Sequence, residues 1–142
     1  MKIVVGSDHA GLNLKNHLKD LLAKWGHEVI DVGTNSTDST DYPDWGEAVG
    51  KKVMELDAKG LCVCGSGIGI SIAANKVQGI RAALVHDSTE ARLARQHNDA
   101  NVLCLGERTV GQVVAEDALK TFLETGFEGG RHQRRVDKLN KL

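Results

Sequence analysis

No stretch of this 142-residue sequence approaches the apolar run needed to cross a bilayer, which excludes a helical membrane span. The opening MKIVVGSDHAG has no signal-peptide cleavage region. An excess of charge is lacking too: the formal net charge is -1, so there is no global electrostatic case for nucleic acid or an anionic membrane as partner. Cysteine is scarce and odd in number. Cys62, Cys64 and Cys104 cannot make a disulfide framework, and a reducing cytoplasm is the expected location. Internal repeats and low-complexity segments are absent. What is present, 41% hydrophobic and 26% charged residues, is ordinary for a globular protein, and the length suits a single domain over 1–142.

Short β-branched runs alternate with helical patterns. Strands are expected at 2–8, 27–33, 60–65, 79–87 and 101–106. Between the first two, Leu14, Leu18, Leu21, Leu22 and Trp25 recur at spacings of three and four, an apolar stripe on a helix that Gly26 ends. Further helices are expected at 45–56, 67–76, 88–99 and 110–125, with helical character resuming in a tail from about 127. The polar stretch 34–44, which holds the only proline, reads as a loop. This alternation predicts an α/β fold, a three-layer α/β/α sandwich around a Rossmann-like five-stranded parallel sheet. Ligands of such sheets bind beyond the carboxyl ends of the strands. Asp8 and His9, the segment 64–69, and His86 with Asp87 fall at that rim.

The segment CVCGSGIGIS (62–71) admits several readings. One residue separates Cys62 from Cys64, not the two of a thioredoxin-type pair, and no second pair or histidine at ligand spacing makes a zinc site. Cys62 and Cys104 lie inside apolar strands and read as small buried hydrophobes. Cys64 ends its strand and precedes GSGIG. Glycines there allow a tight turn that presents backbone N–H groups at a helix N-terminus, a nest for an anion or a developing oxyanion. The same positive end would favour a thiolate, making Cys64 a usable base or nucleophile. The segment fits neither the Walker pattern nor the dinucleotide fingerprint, because no Lys-Ser/Thr follows and the third glycine position is Ile70.

Arg131 and Arg135 are four apart and share a helix face, and paired guanidiniums grip phosphate well. A solvated basic C-terminus is the competing reading, which these residues alone leave open. His97, at a helix end, has the residue type that moves protons near neutral pH. His17, His27, His86 and His132 carry no specific assignment.

Together the segments GSDHAG (6–11), DYPD (41–44), CGSGIGISIAANKVQGIRAAL (64–84), RQHNDANVL (95–103), LGERTVG (105–111) and FEGGRHQRRV (127–136) resemble the type B ribose-5-phosphate isomerases over nearly the full chain. Close relatives in that family isomerise hexose 6-phosphates such as allose and galactose 6-phosphate. The resemblance implies interconversion of ribose 5-phosphate and ribulose 5-phosphate through an enediolate, with no metal and no organic cofactor.

It also implies roles. Cys64 matches the base that carries a proton between C2 and C1, with Gly65, Ser66, Gly67, Ile68 and Gly69 as the anion hole. Ser66 keeps the hydroxyl of the threonine found in many members. His97 matches the acid that helps open the sugar ring, with Asp8 and His9 near the ring end. Asn98, Arg108, Arg131 and Arg135 match substrate contacts, the last two to phosphate, and Tyr42 has a supporting place. Members without the cysteine use a glutamate six residues on, where this chain has Ile70, so Cys64 is the one candidate base in the loop. A homodimer, or a pair of dimers, with the active site shared between subunits is implied as well. Outside this chemistry stands a non-catalytic nucleotide- or anion-binding module with a flavodoxin-like sheet, which would need the glycine loop but neither Cys64 nor His97.

Overall fold

The computed structural model describes residues 1–142. Its strands are β1 (Lys2–Ser7), β2 (Glu28–Gly33), β3 (Lys59–Cys64), β4 (Ala82–Leu84) and β5 (Val102–Gly106). Its helices are α1 (Leu12–Lys24), α2 (Tyr42–Leu56), α3 (Ile68–Asn75), α4 (Ser88–Asn98), α5 (Gln112–Glu124) and α6 (Arg131–Asn140), with a 3₁₀ turn at His9–Gly11. All neighbouring strands are parallel, in the order β2-β1-β3-β5-β4. The middle strands are apolar without alternation because both faces are covered: Ile3 to Val5, Leu61 to Cys64 and Val102 to Leu105 are all buried.

Right-handed crossovers sort the helices. The chain moves one way across the sheet through α1 and α4 and the other way through α2 and α3, so the two pairs cover opposite faces. One core therefore gathers Leu14, Leu18 and Leu22 of α1, Ala91 and Ala94 of α4, and Leu119 and Phe122 of α5. The other gathers Val49 and Val53 of α2 with Ile70 and Ala74 of α3, and it takes in all three cysteines. This is the expected α/β/α sandwich.

Two elements differ from the sequence expectation. Tyr42, Pro43 and Asp44 belong to α2 rather than to the preceding loop, because Pro43 sits in the helix's first turn, where a missing N–H costs nothing. The fourth strand spans three residues, not nine. It is an edge strand with β5 as sole partner, and the Asn101 side chain takes over the backbone groups before it, accepting from the Arg81 N–H at 2.8 Å and donating to the Gly79 carbonyl at 3.0 Å.

The loop between β2 and α2 is tied down from below. Lys15 of α1 is fully buried, and its ammonium reaches Asp31 at 3.0 Å, the Thr34 carbonyl, and Asn35 Oδ1 at 3.3 Å. Asp31 also accepts from Lys19 at 3.0 Å and from the Gly33 N–H at 2.8 Å.

Candidate active site

Beyond β1 the chain turns onto one face of the sheet, and beyond β3 onto the other. The crevice between these adjacent strand ends is where open α/β sheets hold ligands. Here it is an open cleft of about 690 Å³, lined by Asp8, His9 and Ala10 after β1, Cys64 to Ser66 with Ile68, Gly69 and Ile72 after β3, Tyr42 from α2, and Arg108 with Thr109 after β5.

Cys64 closes β3, and its Sγ accepts a hydrogen bond from the Gly67 N–H at 3.2 Å. Gly67 adopts φ +77° as the N-cap of α3, which favours glycine, and it presses against the backbone of Leu105. The Ser66 hydroxyl accepts from the Ile68 N–H at 3.2 Å. The next two N–H groups of that first turn, from Gly69 and Ile70, have no acceptor within the helix. The loop therefore spends one donor on the sulfur and one on Ser66, and it directs the positive end of the helix at the cleft. Ile70 itself is buried in the core, remote from any role with substrate. Fixed contacts from the next strand hold the loop: the Glu107 and Arg108 N–H groups donate at 2.9 Å to the Cys64 and Gly65 carbonyls.

The opposing wall is equally constrained. Asp8 is buried, and its carboxylate accepts from the Gly11 N–H at 3.0 Å, fixing the turn that presents His9. His9 Nδ1 accepts from the Thr40 N–H at 3.2 Å. The Tyr42 ring lies against Gly69, where a Cβ would stand 2.5 Å from it. The Arg108 guanidinium lies over Gly65 and makes no hydrogen bond within the chain. His86 and Asp87, at the rim beyond β4, do not join the cleft. Asp87 caps α4 by accepting from the Glu90 N–H at 2.8 Å, and His86 pairs with Glu90 at 3.1 Å.

His97, Asn98, Arg131 and Arg135 stand apart from Cys64. Helix α4 runs back antiparallel to the strands from its start beyond β4, so its 11 residues, a rise of about 16 Å, carry His97 and Asn98 to the amino ends of the sheet. There the Asn98 carbonyl accepts from Arg81 Nε at 3.1 Å, just before β4. Tail helix α6 packs on α4, and its Asn140 accepts from Arg81 Nη1 at 2.7 Å. Arg131 and Arg135 are exposed and make no ion pair or hydrogen bond within the chain.

The structure adds residues with no assignment in the sequence. His132 is buried and stacks on His97, with ring centroids 4.4 Å apart and planes at 13°. Burial, then the neighbouring His97 and Arg131, pull its imidazole below the usual histidine range, against an opposing pull from Glu128. Its signal in the sequence was its spacing: His132 and Val136 mark the buried stripe of an otherwise charged helix. His97, Glu128 and His132 bring their ligand atoms within 4.8 Å of one another. The in-plane lone pairs of near-parallel stacked rings do not converge on one ion, so this cluster is a poor metal cage. Glu107 is the other addition: its carboxylate accepts from the Leu14 N–H at 2.7 Å, tying the Arg108 loop to the start of α1.

The ribose/galactose isomerase family model matches residues 3–139. Ribose-5-phosphate isomerase B of Escherichia coli is 46% identical over 143 residues, which cover 99% of this chain and 95% of that protein. Among solved structures, ribose-5-phosphate isomerase B of Clostridium thermocellum superimposes with a TM-score of 0.97 at 53% identity, covering 99% of this chain and 96% of that one. The Mycoplasma genitalium enzyme of the same name, solved with bound ribulose-5-phosphate, has a TM-score of 0.95 at 44% identity, covering 99% and 94%. No helix is long and apolar enough to cross a membrane. Sequence, fold and coverage agree from end to end, and the chain belongs to the ribose/galactose isomerase family.

Proposed function

We propose that this chain is an aldose–ketose isomerase that interconverts D-ribose 5-phosphate and D-ribulose 5-phosphate as a single domain over 1–142, acting in the cytoplasm without metal or organic cofactor. The observation that carries the reading is Cys64: a thiol at the end of β3, beside the N-terminus of α3, opening on a cleft lined by Asp8, His9, Tyr42 and Arg108. The Mycoplasma genitalium relative solved with ribulose-5-phosphate supports the substrate class.

The chemistry follows from these positions. In the open-chain aldose, the Cys64 thiolate takes the C2 proton. The C–H electron pair becomes the C1=C2 double bond, and the carbonyl pair moves onto O1. The unused N–H groups of the α3 first turn and the Ser66 hydroxyl stabilise that oxygen. The O2 proton then passes to O1, the O–H electron pair forms the C2=O2 carbonyl, and the C1=C2 pair takes the proton back from the Cys64 thiol at C1, which restores the thiolate. Anchoring the distant phosphate lets binding energy serve the alignment of C1 and C2.

The cleft of one chain holds a single free guanidinium, Arg108, and lacks the arginine pair and the histidine that the family resemblance implies, while His97, Asn98, Arg131 and Arg135 carry unspent donors at the far end. The reading is completed by a homodimer in which the partner subunit's His97, Asn98, Arg131 and Arg135 face the Cys64 cleft. The family description also names galactose, which keeps a hexose-6-phosphate isomerase as the second reading.

Turnover of ribose 5-phosphate, allose 6-phosphate and galactose 6-phosphate by the purified protein tests both. A pentose preference is expected, and a hexose preference would replace the substrate assignment. Cys64→Ala is expected to lose at least about a thousandfold in kcat with folding intact, the scale of a lost acid–base group. Activity near wild type would remove the mechanism.

A further inference from the structure

We infer that the loop between β2 and α2 acts on the reaction through His9, by fixing its ring as the neutral tautomer with the proton on Nε2. This inference rests on the isomerase reading above.

A backbone N–H can only donate. The Thr40 N–H reaches His9 Nδ1 at 3.2 Å, so Nδ1 must present its lone pair and cannot carry a proton while that bond lasts. The proton of the neutral ring is then on Nε2, which has no partner in the chain, is not sealed from solvent, and belongs to a side chain lining the cleft. His9 thus offers substrate a single directed donor.

The donor that imposes this is itself held. Trp45 of α2 donates its indole N–H to Thr40 Oγ1 at 3.1 Å, and the same ring lies against Gly33, where a Cβ would stand 2.7 Å from it. At the start of the loop, the buried Lys15 ammonium grips the Thr34 carbonyl and Asn35 Oδ1. An exposed polar loop pinned at both ends presents one N–H to one ring nitrogen. Thr40 and Trp45 are therefore positioning residues, and His9 is the group that touches substrate.

The first test needs no variant and no substrate. Long-range nitrogen–proton correlation spectra of protein labelled at its histidine nitrogens should show His9 with a protonated Nε2 and a bare Nδ1, assigned by the signal that vanishes in His9→Gln. A protonated Nδ1 overturns the inference even if the protein is a fully active isomerase. Trp45→Phe keeps a ring over Gly33 and removes the indole donor, so the His9 signals should shift toward a tautomer mixture. Unchanged signals would remove Trp45 from the device.

Paired substitutions then read the donor role. Gln places an amide near the Nε2 position, whereas Asn places its amide near Nδ1, where it can satisfy Thr40 but not reach into the cleft. His9→Gln should retain kcat/KM within about tenfold, and His9→Asn should lose about a hundredfold, as expected for a hydrogen bond to a charged or developing oxygen. Equal losses, or the reverse order, overturn the donor role. If wild type shows the expected tautomer but turns over none of the sugar phosphates, the isomerase reading fails and the tautomer assignment stands.

Discussion

A methyl group added at Gly67 would stand 2.6 Å from Leu84 Cδ1 and 2.8 Å from the Leu105 carbonyl carbon, on a backbone with φ +77°. Strain and overpacking then act together, and Gly67→Ala should destabilise the fold by about 2–4 kcal/mol, read as a lower urea midpoint at constant m. Gly69→Ala is a contrasting case. The three atoms nearest its Cβ would all belong to the ring of Tyr42, a residue 43% exposed that can swing outward. Stability should change by less than about 1 kcal/mol while KM rises several-fold, because Tyr42 leaves the cleft wall. At this scale, much of the site was legible. Cys62 and Cys104 read as inert because they sit inside apolar runs, and both are fully buried. The hydrogen bond with Cys62, then burial, pushes the Cys104 thiol well above the usual range, and of the three cysteines Cys64 is the one that borders the cleft. His132 was not legible as a partner of His97, since nothing in a one-dimensional pattern says which side of α4 the tail will cover.

At the scale of elements, the Lys15–Asp31 pair joins α1, β2 and the site loop. Burial alone would raise the Asp31 carboxyl, but hydrogen bonds from Lys19, Lys15 and the Gly33 N–H, with the Lys15 charge, hold it below the usual carboxylate range. Burial lowers the Lys15 ammonium in turn, against the pull of Asp31. A carboxylate depressed on folding stabilises the native state above its unfolded pKa of about 3.9, and that stability is lost as pH falls through the lower folded value. Stability should therefore drop below about pH 4. Asp31→Asn should flatten that drop and cost about 3 kcal/mol at neutral pH, because it strands a fully buried ammonium. Urea titrations of both proteins from pH 6 to pH 3 measure the slope, and parallel curves would exclude Asp31 as its source. The order of strands and helices was readable because each element carries its own hydrophobic period. The position of β4 at the edge was not, since the chain skips one place after β3 and returns to fill it with β5. Pro43 misled for a local reason: the residue that ends helices also begins them.

For the whole molecule, the question the proposed mechanism raises is how Cys64, at the end of β3, could share a substrate with His97 at the opposite end of the sheet. Within one chain the sheet and the length of α4, about 16 Å, stand between them, and no side-chain motion spans both. The proposed shared-site homodimer would resolve this by symmetry: a two-fold axis would bring the far end of each chain to the cleft of the other, and each site would take Cys64 from one subunit and His97 from its partner. That arrangement has a consequence that a single-chain site lacks. Cys64→Ala and His97→Ala should each be inactive alone. When equal amounts are mixed and allowed to exchange subunits, half the dimers are mixed, and each mixed dimer carries one doubly altered site and one wholly native site. Activity should therefore recover to about a quarter of wild type. The recovery should appear at the rate of subunit exchange and vanish if the dimers are cross-linked before mixing. A mixture that stays inactive after exchange has been demonstrated by mass would place both residues in one chain's site, and the long separation along α4 would then have to close by unfolding that helix.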